Sequence, residues 1–159
     1  MQQLPLNSVK YYRAGYNCAQ SLLLAYGLES GAEMDQLCAV AESFGVGMAR
    51  LGETCGAVAG ALMIIGLKHG RKEVEDAPAT ERTYELAREF TRRFTALNGS
   101  IRCRELVGHE IGTAAGMAAA EAGTAFSICP KYVHDAATII AELTAEPRET
   151  AISGIALES

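Results

Sequence analysis

The sequence contains no tryptophan, and phenylalanine and tyrosine together make up only 6% of it. Packing therefore falls to Ala, Leu, Ile and Val in a chain that is 49% hydrophobic, a diet that suits closely packed helices. Basic residues form no stripe. Fourteen Lys plus Arg are dispersed among nineteen Asp plus Glu, giving a net charge of −5, which argues against nucleic acid or an anionic membrane as a partner. No apolar run reaches the roughly 20 residues that a spanning helix needs. The longest, Ala57 to Leu67, has eleven. The stretch Met1 to Leu6 has no charged segment leading into an apolar core, so no secretory signal is expected. These absences point to a cytoplasmic protein without membrane insertion.

Strand-like alternation and domain linkers are missing as well. With 159 residues the chain fits one domain, 1–159, able to bury its own core without staples. The expected architecture is an all-α single-domain bundle of five to six helices.

Two cysteine patterns are absent. There is no C-x-x-C, so neither a thioredoxin-type dithiol nor a zinc ribbon is signalled, and no C-x-x-C-H for covalent haem attachment. Gly45, Gly47 and Gly52 do not form G-x-G-x-x-G and follow no strand, which leaves nucleotide binding without support. What is present is five widely spaced cysteines, Cys18, Cys38, Cys55, Cys103 and Cys129. In a reducing compartment these are core thiols, metal ligands or transient redox groups rather than standing disulfides.

The apolar periodicity places them. Asn7-Ser8 caps a helix carrying Val9, Tyr12, Tyr16, Ala19, Leu23 and Tyr26, with Cys18 inside it and Gly27 near its end. Met34, Leu37, Cys38, Ala41 and Phe44 continue the same period in a second helix, where Cys38 is a core residue. After the glycine-rich turn Gly45 to Gly52, Glu53 and Thr54 start a helix that Lys68, His69 and Gly70 end. Apolar nearly all round, it is expected at the centre of the fold. Gly56 and Gly60, beside Ala57 and Ala61, give it a smooth face on which a helix or a cofactor could lie, or through which two copies could form a homodimer.

Downstream, Glu75 to Pro78 reads as an exposed loop and Ala79 to Asn98 as a surface helix. Its inward residues are Tyr84, Ala87, Phe90, Phe94 and Leu97, and Glu85 with Arg88 and Glu89 with Arg92 and Arg93 pair outside. Ser100 to Gly108 holds a helical turn or two. Gly112 to Gly123 is a small-residue segment, either helix or lid. Pro130 at a first helical position puts Cys129 at or beside the N-cap of a final helix with Val133, Ala136, Ala137, Ile140 and Leu143 on its apolar face.

Cys55, Cys103 and Cys129 thus each fall at a helix N-terminus, where free N–H groups and the dipole favour a thiolate. Arg102 and Arg104 place charge beside Cys103, and Lys131 does so near Cys129. A bundle that gathers these ends would face several thiolates onto one site, with Cys18 reaching in. Among the three histidines, His69 closes a helix, His109 lies near Gly108, and His134, one turn from Cys129, is placed to activate a thiol or ligate a metal.

The order of Asn17-Cys18-Ala19-Gln20, Cys55-Gly56-Ala57-Val58-Ala59-Gly60, Cys103-Arg104-Glu105-Leu106 and Cys129 resembles that of the C_GCAxxG_C_C family of proteins classed as redox-active. The resemblance runs from about Tyr12 to Leu143. It implies a working site of Cys18, Cys55, Cys103 and Cys129 and leaves Cys38 outside. A related cysteine arrangement occurs in the split-Soret cytochromes, which implies an iron–sulfur site here but no haem, since their haem-binding segments are lacking. Four thiolates without a built-in C-x-x-C suit an iron–sulfur cluster or another thiophilic metal at least as well as disulfide exchange. In the exchange reading Cys55 attacks and Cys103 or Cys129 resolves. A third reading is a non-catalytic metal- or ligand-binding module associated with transport. The redox partner is not specified by any of these patterns. Backbone amides of the Gly45 to Gly52 turn are placed to bond a cluster sulfide or anion next to Cys55.

Overall fold

The helix Gly56–His69 (α4) has no polar side for most of its length, and it occupies the middle of the protein with Val58, Ile64 and Ile65 fully buried. This computed structural model describes residues 3–145. Met1 and Gln2 of the stretch read for a leader, and the ends of the expected 1–159 domain, lie outside the described residues. In order, the helices are α1 (Gln3–Arg13), α2 (Cys18–Gly27), α3 (Met34–Ala41), α4, α5 (Ala77–Asn98), α6 (Cys103–Val107), α7 (Ala114–Ala122) and α8 (Cys129–Leu143), with 3₁₀ turns at Leu28–Ser30, Glu42–Phe44 and Ala125–Ile128. Helices α2, α5 and α8 pack around α4, and α1 lies across α2 and α8. The described residues are all-α. Their only β pairing is a single antiparallel bridge, Thr54 with Arg102.

The helix count exceeds the expected five to six, and the main reason lies at the N-terminus. The helix read from Asn7 to Gly27 is two helices, broken where Gly15 takes a φ of +107° that other residues rarely adopt. Asn17 then starts α2 with a capping box: its side chain accepts from the Gln20 N–H at 2.9 Å, and the Gln20 side chain accepts from the Asn17 N–H at 3.0 Å. The Asn17 amide also donates to the carbonyls of Ala41 and Glu42, fixing the start of α2 against the end of α3. Cys18 is consequently the first residue of a helix, not an interior one.

The start of α4 also shifts. Thr54 is taken up by the bridge, Glu53 pairs with Arg104, and Cys55 itself is the N-cap. The end at His69 and Gly70 is as the sequence indicates, with the Gly70 N–H closing onto the Gly66 carbonyl. In α5, Phe90 and Phe94 face inward with Leu86, while Tyr84 and Leu97 are exposed. Glu89 pairs with Arg92 and Arg93 as read. Asp76 caps this helix, so Ala77 and Pro78 form its exposed first turn instead of a loop. The segment Ala114–Ala122 is helix, capped by Thr113.

The glycine face of α4 is covered from within the chain. A Cβ at Gly60 would lie 2.9 Å from the Ala19 carbonyl oxygen, and one at Gly56 would lie 3.1 Å from the Cβ of Cys18. The C-G-A-x-x-G spacing thus lets the first turn of α2 rest on α4 backbone to backbone. That face is not available to a second copy.

Candidate functional site

Four cysteines begin four helices: Cys18 in α2, Cys103 in α6 and Cys129 in α8 as first residues, and Cys55 as the N-cap of α4. All four line one cleft of about 320 Å³, closed at its sides by Tyr12, Phe126 and Tyr132. The glycine contact sets Cys18 over the start of α4. The Thr54–Arg102 bridge holds Cys55 beside Cys103: the Cys55 N–H donates to the Ile101 carbonyl at 2.8 Å and the Cys103 N–H to the Glu53 carbonyl at 2.7 Å. Packing of α1 against α8 brings Tyr12 to Cys129. Cys38 is not on the cleft. It is half-buried on α3, its carbonyl accepting from Gln20.

The turn before α4 closes over Cys103. Val46, Gly47, Met48, Ala49 and Arg50 all have φ between 52° and 69°, a left-handed turn in which four residues are not glycine. Each such residue costs about 1–2 kcal/mol relative to the right-handed form. Gly47 is required by contact as well, because a Cβ there would fall 2.6 Å from the Cβ of Cys103.

The electrostatics differ from the sequence expectation. Cys55, Cys103 and Cys129 are only 4%, 6% and 6% exposed. Burial pushes the Cys55 thiol up to about 11, although the N–H groups of Ala57 and Val58 act in the other direction. Burial, with the neighbouring Cys55 and Cys129, pushes Cys103 up to about 12. Only Cys129 is held below the ordinary thiol value, by hydrogen bonds from Cys18 and then from Tyr12, against the effect of its burial. Its partner Cys18 is raised by the same hydrogen bond and by burial. Of the four, Cys129 is the one whose ionisation its surroundings ease, while burial opposes ionisation at Cys55 and Cys103.

The cations expected to help are turned away. Arg104 bonds the carbonyls of Leu51 and Gly52 and the carboxylates of Glu53 and Glu110, and Lys131 bonds Asp135 and Asn98. Sequence neighbours on a helix point about 100° apart, so adjacency along the chain does not deliver charge to the cleft. His134 is exposed, 3.9 Å from Asp135, and does not line the cleft. Sequence reasoning missed Tyr12 as a cleft residue. Its place in the α1 period gave no sign that its hydroxyl lies among thiols.

These shifts set an alkaline limit. Thiols of the unfolded chain ionise near 9, whereas folded Cys55 and Cys103 hold their protons up to about 11 and 12. Stability that is fully present below 9 should therefore fall as pH rises through that window. Cys18, Tyr12 and Tyr26 add the same sign and Cys129 the opposite. Urea denaturation of reduced protein at about pH 8 and about pH 10.5 measures it. A flat or rising midpoint contradicts it.

The donor set suits a thiophilic group, and a cleft of this size admits more than one atom; a single water needs only about 10–15 Å³. Among the described residues no three His, Cys, Asp or Glu side chains are gathered as ligands to one metal ion. Nor is any described helix long and apolar enough to cross a membrane.

Comparison with known proteins places these residues in a family. The model of the family described as "Putative redox-active protein (C_GCAxxG_C_C)" matches residues 16–143, which include all four cleft cysteines. No curated protein and no solved structure matches.

Proposed function

The chain belongs to the C_GCAxxG_C_C family of redox-active proteins, and from that premise we propose that it is an electron-transfer protein whose four cleft thiols, Cys18, Cys55, Cys103 and Cys129, hold an iron–sulfur cluster or another thiophilic centre. The single observation that carries this reading is the convergence of four helix starts, each bearing a cysteine, on one cleft. Three of those helices have eight or more residues, so their positive ends favour the net negative charge of a multi-thiolate site.

Burial otherwise favours the protonated thiol at Cys18, Cys55 and Cys103. A bound thiophilic cation removes that obstacle, because a coordinating thiol is deprotonated outright. An iron–sulfur cluster, when bound, would supply one-electron chemistry. The chain supplies the rest: the start of α4 at Ala57 and Val58 turns its N–H groups toward Cys55, Tyr12 lines the cleft with Cys129, and Phe126 and Tyr132 complete its walls. Hydrogen bonds to ligand sulfurs and solvent exposure are the levers that set such a potential. A cytoplasmic setting goes with this reading, since all five cysteines are free thiols. Its electron partner is a protein or small carrier that reaches the cleft mouth.

Anaerobic purification followed by iron, sulfide and zinc analysis tests the proposal. Iron with acid-labile sulfide in near-stoichiometric amount is the expected result. Protein that takes up no iron with sulfide on reconstitution overturns the electron-transfer reading, and uptake of zinc alone does so too, since zinc undergoes no redox change.

A further inference from the structure

Between α1 and α8 a groove of about 410 Å³ runs beside the cysteine cleft, with Lys10, Arg13, Lys131 and His134 on its walls and Leu6 and Pro130 between them. Groove and cleft are two sides of one seam. Tyr12 and Cys129 line the cleft, while Arg13 and Pro130, next in the chain to each, line the groove. Gly15, exposed and bordering the cleft, follows Arg13 by two residues. A body seated in the groove thus lies against the cleft mouth.

The groove is basic in an acidic protein. The chain has a net charge of −5, yet its first acidic residue is Glu29, so α1 and α2 contain none. Lys10 and Arg13 are exposed in the last turn of α1 and form no ion pair among the described residues. Of the two acids on α8, Asp135 is held by Lys131 at 2.6 Å and Glu142 by Arg93 at 3.2 Å. Cations in a last turn also complement the helix dipole, but that does not account for Leu6. Leu6, Lys10 and Arg13 stand at i, i+4 and i+7, one face of α1, and Leu6 is 51% exposed.

We infer that this groove is where the electron partner docks, and that the partner is a protein presenting carboxylates around an apolar spot. The inference rests on the electron-transfer reading above and adds the partner's chemistry and place. Opposite charge steers such encounters and speeds association, while a small contact lets a carrier leave after each exchange. A free anion needs only the cations, whereas Leu6 offers an apolar contact of the kind a protein face matches. An anionic bilayer would meet the net charge of the whole molecule, and the cations line a concave groove rather than a flat face.

The test uses the full chain, reduced, free of metal and labelled with nitrogen-15, titrated with a flavodoxin as an acidic carrier. Titrations at about 0.01 M and about 0.15 M ionic strength shorten the screening length from about 30 Å to about 8 Å. Chemical-shift changes are expected on the last turn of α1, on Gly15 and on the first turn of α8, with weaker binding at the higher salt. The double variant Lys10→Glu with Arg13→Glu should lose about tenfold or more in low-salt affinity. Lys72→Glu with Arg82→Glu makes the same change in net charge on exposed residues around the far end of α4, and should lose less than about threefold. Leu6→Gln should weaken binding and leave its salt dependence unchanged. The same spectra show that each variant is folded. Shifts elsewhere, equal losses in the two double variants, or no binding at the lower salt overturns the inference. Leu6→Gln without effect overturns the protein occupant in favour of plain anion attraction. Tighter binding to vesicles of phosphatidylcholine with phosphatidylglycerol, or light scattering that shows the chain pairing with itself through these residues, overturns it as well.

Iron and sulfide loading, measured separately on the parent and on the Lys10→Glu, Arg13→Glu chain, keeps the two readings apart, since neither residue lines the cleft. Loading without docking removes the groove and leaves the cluster reading standing. Docking without loading upholds the groove as a site for an acidic protein while the electron-transfer reading falls.

Discussion

Gly60→Val is expected to lower stability by about 1–3 kcal/mol or more, the usual range for forcing carbon into a filled contact. The contact is backbone against backbone: a Cβ on residue 60 lies 2.9 Å from the Ala19 carbonyl oxygen, 3.1 Å from the Ala19 Cα and 3.1 Å from the Leu22 Cβ. None of these atoms is the free end of a flexible side chain, so α2 must move away from α4, and Leu22, Leu23 and Val58 with it. The control lies on the same helix. Gly66 has nothing within 4 Å of an added Cβ, so Gly66→Ala should raise stability by about 0.5–1 kcal/mol through the backbone entropy that glycine otherwise loses. Urea titrations of the two variants give opposite signs if α2 rests on α4 as described. Equal shifts would mean that it does not.

The second large effect concerns chemistry rather than packing. Cys55→Ala should abolish iron retention while leaving helical circular dichroism largely intact, because Cys55 caps α4 through no side-chain hydrogen bond. Cys38→Ala should retain iron and change stability alone, since Cys38 lies on α3 outside the cleft. Serine sharpens the comparison. If position 55 were only core filling, the buried hydroxyl would cost about 1–3 kcal/mol and alanine less, with no effect on metal. Parallel behaviour of Cys38 and Cys55 in both assays would remove the four-thiol site.

Much of this was legible in the sequence where one helix face decides the outcome. α4 has no polar side and can only be central. α8 carries Pro130 at its start and a continuous stripe of Val133, Ala136, Ala137 and Ile140. In α5, by contrast, Tyr84 fits a loose three-and-four count, yet it is six residues before Phe90 and so about 240° round the helix. Leu86, four before Phe90, is nearly aligned with it and is buried. The break between α1 and α2 was written in Gly15 and in the Asn17 to Gln20 spacing, but an apolar period running through both helices masked it.

The site was legible as a set of residues and not as an arrangement. Chain order gave the four cysteines, and helix starts gave three of them. That Cys18 and Cys129 share one cleft, that Tyr12 lines it with them, and that Arg104 faces Glu53 and Glu110 are products of packing between distant segments. No local pattern encodes them.

The four thiols stand 37, 48 and 26 residues apart along the chain. Anything that engages all four therefore closes three long loops at once, and closing loops of that length removes far more freedom from an unfolded chain than from the folded one, where the ends already meet. Occupancy and folding are then two readings of one equilibrium: a ligand held only by the folded form stabilises it by an amount that grows with the logarithm of ligand concentration above its Kd. A protein built this way transmits the state of a few sulfur atoms to its whole backbone, and its resistance to proteolysis becomes a gauge of whether the cleft is filled.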